Sequence, residues 1–96
     1  MKIALDTCIG KRGAEILRAA GHEIVVVARE GEQDRVWFFR ALGRGVELVI
    51  AADNDLEILC YDHNVEFFRA HQKHSGEHTA RCALQRYGTS AVTAVK

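Results

Sequence analysis

Apolar positions along the chain follow two alternating rhythms. Mainly apolar runs occur at 2–6 (KIALD), which ends in an aspartate, at 24–28 (IVVVA) and at 46–52 (VELVIAA). A run without polar alternation suits a strand buried on both faces of a parallel sheet, and the β-branched 24–28 segment is the clearest of the three. Between these runs the apolar spacing changes to that of a helix. Ala14, Leu17 and Ala20 predict a helix over 11–20, with Gly21 placed for a left-handed cap. Residues 29–33 (REGEQ) read as a loop, and Asp34 as the residue that caps a helix over 36–44 by accepting its orphan backbone N–H bonds. Leu56, Leu59, Cys60, His63 and Phe67 lie on one helical stripe and predict a long helix over 54–72, within which Asn64 is a candidate break. A turn at 73–76, a helix over 77–87 ended by Gly88, and a last strand at 90–95 (SAVTAV) complete the reading.

Strands alternating with helices define the α/β class. The expected architecture is a three-layer α/β/α domain with a mainly parallel four-stranded sheet and right-handed crossovers, spanning 1–96 as one unit. Ninety-six residues suffice for one core, and 48% apolar with 27% charged residues is ordinary for a globular protein. No window approaches the roughly 18 consecutive apolar residues of a membrane span. The opening MKIALDTC carries no secretion-signal pattern. Cys8, Cys60 and Cys82 are odd in number and widely spaced, so a reduced, cytoplasmic setting is expected rather than a disulfide framework. Net charge is zero, so any nucleic-acid contact must come from a local patch.

Asp6 closes the first apolar run and Asp53 follows the third. Ligands of open α/β sheets bind beyond the carboxyl ends of the strands, near a topological switch point. Adjacent strands lie about 4.8 Å apart, so two carboxylates at one edge would be near enough to share a cation. Without a cation, like charges this close push one carboxyl toward protonation. Mg²⁺ resolves the conflict, because it prefers oxygen ligands and typically takes one or two protein carboxylates. Asp55 lies two residues after Asp53, and Asp34 starts a helix whose N-terminus should face the same edge. The competing explanation for each is ordinary turn and capping chemistry.

Four short motifs, in order, resemble the short PIN-like domains allied to toxin nucleases of bacterial toxin–antitoxin pairs. Members of that group show a first strand reading like ILLDENL, a helix ending AGHDV, a loop with SDEE and a strand ending TNDKDF. Here the corresponding segments are IALDTCI (3–9), AAGHEIV (20–26), Gln33-Asp34 and AADNDL (51–56), and nineteen residues separate Asp34 from Asp53, as in the family. The resemblance covers residues 1–60. It implies a metal-dependent nuclease acting most naturally on RNA, with Mg²⁺ or Mn²⁺ held by Asp6, Asp34, Asp53 and Asp55, and with an antitoxin as partner. Lys11 and Arg12 after the first strand, and Arg35 beside Asp34, are the expected contacts to substrate phosphate. Two departures stand out. Ala51-Ala52 replaces the usual Thr-Asn, and Asp34-Arg35-Val36 keeps one acid of the acidic run. Both favour an alternative reading, a catalytically degenerate module acting through protein contacts.

Other features are weighed against plainer explanations. His71, His74, His78 and Cys82 recur at spacings of three and four, with Cys60 and His63 upstream, but Ser75-Gly76 should interrupt the helix between His74 and His78. Solvated histidines therefore outrank a zinc site. Cys8 reads as a small buried side chain, and Gly10 and Gly13 as loop glycines. Trp37, Phe38 and Phe39 cannot all face one core across a helix, so exposure of at least one as a partner or dimer surface competes with a second packed layer inside the domain.

Overall fold

The computed structural model describes residues 1–71 and 73–89. The chain runs β1 (Lys2–Leu5), a 3₁₀ turn (Thr7–Ile9), α1 (Gly10–Ala19), β2 (Glu23–Val27), α2 (Asp34–Gly43), β3 (Leu48–Ala51), α3 (Asn54–Asp62), β4 (Glu66–Arg69) and α4 (Gly76–Tyr87). The four strands form one all-parallel sheet in the order β2-β1-β3-β4. The α/β class and the four-stranded parallel sheet are as expected.

Alternation along the central strands builds two cores. Ile3 and Leu5 of β1 and Leu48 and Ile50 of β3 pack with Ala14 and Leu17 of α1 and Ala80 and Ala83 of α4. Ala4, Val49 and Ala51 point the other way, against Trp37, Phe38 and Ala41 of α2 and Leu56, Leu59 and Cys60 of α3. Helices therefore cover both faces, which is why β3 is buried at every position. The topology follows from crossover handedness. The chain steps from β1 to β2 on one side, then returns past β1 to β3 on the other. Right-handed crossovers in opposite directions place α1 and α2 on opposite faces and leave a switch point between β1 and β3.

One element departs from the expected pattern. The helix predicted over 54–72 ends at Asp62, and residues 66–69 form β4 instead. His63 caps α3, and Asn64 takes a left-handed backbone (φ 58°), which a short amide side chain tolerates and a helix does not. Phe67 and Phe68 are half-buried on opposite faces of this edge strand, and Phe67 continued the helical stripe by coincidence of spacing. The predicted strand 90–95 lies outside the described residues. The capping expectation also changes: Gln33 is the N-cap of α2, Asp34 is its first residue, and no side chain caps that helix.

Gly13 is helical rather than in a loop, and with Gly76 it lets the starts of α1 and α4 meet. A Cβ on Gly76 would overlap the Ile9 carbonyl. Replacing Gly76 by Ala should therefore lower stability by at least about 2 kcal/mol through overpacking. Gly43→Ala, in a helix with open space around it, should be neutral or stabilising by up to about 1 kcal/mol. Thermal unfolding of the two variants side by side checks this, and an equal loss in both would contradict the close approach.

Candidate functional site

The carboxyl ends of the strands form the rim at the switch point. Leu5 of β1 pairs with Val27 of β2 and Ile50 of β3, and the ladder continues with the Asp6 amide donating to the Ile50 carbonyl at 3.1 Å. Asp6 thus sits directly beyond β1, and Asp53 two residues beyond the end of β3, on the same rim of neighbouring strands. Each also serves the turn it begins. The Asp6 carboxylate accepts from the Thr7 amide at 2.7 Å and starts the 3₁₀ turn, and the Asp53 carboxylate accepts from the Asp55 amide at 2.7 Å and caps α3. Capping and convergence coexist, since each carboxylate has lone pairs to spare.

Asp34 reaches the same rim from the start of α2. Its carboxylate accepts from the Trp37 indole N–H at 3.3 Å. Partial burial is the main cause that holds Asp34 above the ordinary aspartate range, followed by the neighbouring Asp53 carboxylate. The indole bond opposes the shift, and Asp6 adds a smaller push upward. Asp34, in the first turn of α2, therefore senses the carboxylates that follow β1 and β3. Asp55 faces a cleft of about 490 Å³ between α2 and α3, which it shares with Asp34, Arg35, Asp62 and an apolar floor of Ile58 and Leu59. As donors, hard carboxylate oxygens fit Mg²⁺ or Mn²⁺. As positioned, no group of three or more His, Cys, Asp or Glu side chains among the described residues is placed to hold a metal ion.

Lys11 and Arg12 lie exposed in the first turn of α1, just beyond Asp6 and its 3₁₀ turn. Arg12 is shared with Glu15 (4.0 Å) and Glu77 (3.8 Å). Arg35 lies over the Phe39 ring, 5.7 Å from its centroid, and lines the α2–α3 cleft. Of the aromatic run, Trp37 and Phe38 are fully buried while Phe39 is 42% exposed, so one member of the run is exposed. Cys8, expected inside, is exposed, with its thiol held above the usual range by partial desolvation and by Asp6. The His71, His74 and His78 side chains are exposed, with ring centroids 5.0 Å and 4.2 Å apart in succession.

Two supporting residues escape a reading of the sequence. Arg69, at the end of β4, donates to the Ala52 carbonyl at 2.9 Å, to Asn54 Oδ1 at 2.8 Å and to the Glu57 carboxylate. It braces the turn that carries Asp53 and Asp55. Nothing signalled it, because 66–69 read as helix. Glu32 accepts from the Arg29 amide at 3.0 Å and pairs with both terminal nitrogens of Arg40, which fixes the loop entering α2 and hence Asp34. Comparison of the chain with protein-family models, with curated proteins and with solved structures gives no match in any of the three. Among the described residues no helix is long and apolar enough to cross a membrane.

The Arg40 guanidinium and the Arg29 amide hold the Glu32 carboxyl down at about 2, from an ordinary value of 4.5. A depressed carboxyl contributes stability that is full above its unfolded value and is lost as pH falls through the folded one. Glu32→Gln should therefore lower the unfolding temperature at pH 7, and the gap to wild type should close between pH 4.5 and about 2. Thermal unfolding across that range checks this, and a gap independent of pH would contradict the ion pair as its source.

Proposed function

We propose that this chain is a PIN-like, metal-dependent nuclease that hydrolyses phosphodiester bonds in RNA, of the kind found as the toxin of a toxin–antitoxin pair. The observation that supports the reading is the convergence of Asp6, Asp34 and Asp53 at the β1–β3 switch point, where Asp34 is driven toward protonation by burial and by its acidic neighbours. A divalent cation bound among these carboxylates would relieve that pressure on Asp34. Asp6, Asp34 and Asp53 are the residues that would hold Mg²⁺ or Mn²⁺, which when bound supplies polarisation of a phosphoryl oxygen and acidification of water. We assign Asp55, at the cleft, to orienting the attacking water. Lys11, Arg12 and Arg35 bear on substrate phosphate from the flanks of the rim. Trp37 holds Asp34 in place through its indole N–H, and Arg69 holds the Asp53 turn.

The second reading is a degenerate module that binds protein through this face. Phe39, Ile58 and Tyr61, which are 42%, 59% and 84% exposed on α2 and α3, favour it. Cleavage of RNA in Mg²⁺ or Mn²⁺ separates the two. Wild type should cut, while Asp6→Asn and Asp53→Asn should each lose activity by at least about a hundredfold, as removal of a principal electrostatic group does. Equal rates in all three proteins, or no rate in any, would remove the nuclease proposal.

A further inference from the structure

Edge strand β2 carries a concentration of positive charge that net neutrality conceals. A groove of about 480 Å³ runs along Ile24–Val27 and is otherwise lined only by Arg18, Arg29, Arg40 and Arg44. Four of the nine arginines in a chain of zero net charge thus meet in one groove with no acid in its wall. Arg18 comes from α1 on one face of the sheet, and Arg40 from α2 and Arg44 from its C-cap on the other. Arg29 follows β2 at the carboxyl rim, where the Ala28 amide donates to the Leu5 carbonyl at 2.8 Å. The pairing with Glu32 neutralises Arg40. Arg18, Arg29 and Arg44 have no salt-bridged carboxylate among the described residues, although Glu32 lies close enough to Arg29 for their charges to interact.

We propose that this groove binds the phosphodiester backbone of an RNA strand. Guanidinium forks match phosphate oxygens in pairs, and successive forks along a strand edge suit a repeating anion. An added peptide strand fits less well, because Arg44 already donates to the Val25 carbonyl at 2.8 Å and removes an acceptor from the β2 edge. The groove also leads somewhere. A second hollow of about 340 Å³ shares Arg18 and Val27 with it and extends to Lys11 and Thr7, the residue after Asp6, with Glu30 as its one acid. The arginine groove is thus a track by which a strand reaches the acidic rim. Its role as a substrate path rests on the nuclease reading; the binding itself does not.

The test is fluorescence anisotropy of a labelled single-stranded RNA in EDTA across a salt series, which removes cleavage from the measurement. Arg18→Gln/Arg29→Gln is the informative variant, since both residues are exposed and the Arg29 bond to Glu32 uses only its backbone. It should bind at least about tenfold more weakly, and its salt slope should fall by about 1.4, from two lost phosphate contacts at about 0.7 each on a single strand. Lys73→Gln/Arg81→Gln, which removes the same charge beyond β4 and on α4, should bind like wild type. Unchanged binding in the arginine variant, an equal loss in both variants, or tighter binding of polyglutamate than of RNA would overturn the track. RNA held through these arginines by a protein that cleaves nothing supports the track and removes only the nuclease reading. Cleavage by wild type with no loss of RNA affinity in the arginine variant overturns the track and leaves that reading standing.

Discussion

Leu5 and Ile50 face each other across the middle of the sheet, and their ladder runs on into the backbone of Asp6. That pairing sets the two strand ends from which Asp6 and Asp53 follow. It exists because β1 and β3 are apolar at almost every residue and can be buried from both sides only between two helical layers. Helices on both faces require the chain to reverse direction across the sheet, and the reversal opens the rim between these two strands. Asp6 and Asp53 stand where they do because apolar strands must stop, and Asp34 joins them because the intervening crossover must bring α2 back over the same rim.

Much of this is legible in residue order. The runs 2–6 and 46–52 contain β1 and β3, the run 24–28 covers all of β2 but its first residue, and the Ala14/Leu17 spacing marks the buried side of α1. Gly21 and Gly88 adopt the positive φ expected of residues that end helices. The α3–β4 junction was not legible for a definite reason. An edge strand of four residues, half-buried at Phe67 and Phe68, leaves a hydrophobic trace that a helical stripe can absorb, and Asn64 is a weaker stop signal than glycine. Asp34 was legible as an acid at the start of α2 but not in its use, because the Trp37 indole takes the hydrogen bond that a backbone cap would have taken.

The arginine groove was illegible for a different reason. Arg18, Arg29, Arg40 and Arg44 come from two helices and a strand end, with acids interleaved between them in sequence. Only the edge position of β2, which both helical layers leave uncovered, gathers them. Balanced composition thus hides an uneven distribution, with carboxylates at the switch point and guanidinia along the neighbouring edge. On the proposed nuclease reading, such polarity would steer an anionic strand toward a site whose own charge would otherwise repel it.

The most direct test of carboxylate convergence is to titrate the ¹⁵N-labelled protein with Mn²⁺ and follow paramagnetic broadening of its amide signals. The account predicts that Thr7, Asp34 and Asp53–Asp55 broaden first and together, and that Asp53→Asn abolishes the effect at all of them. Broadening centred on His71–His78, or scattered over exposed acids with no shared onset, would contradict it.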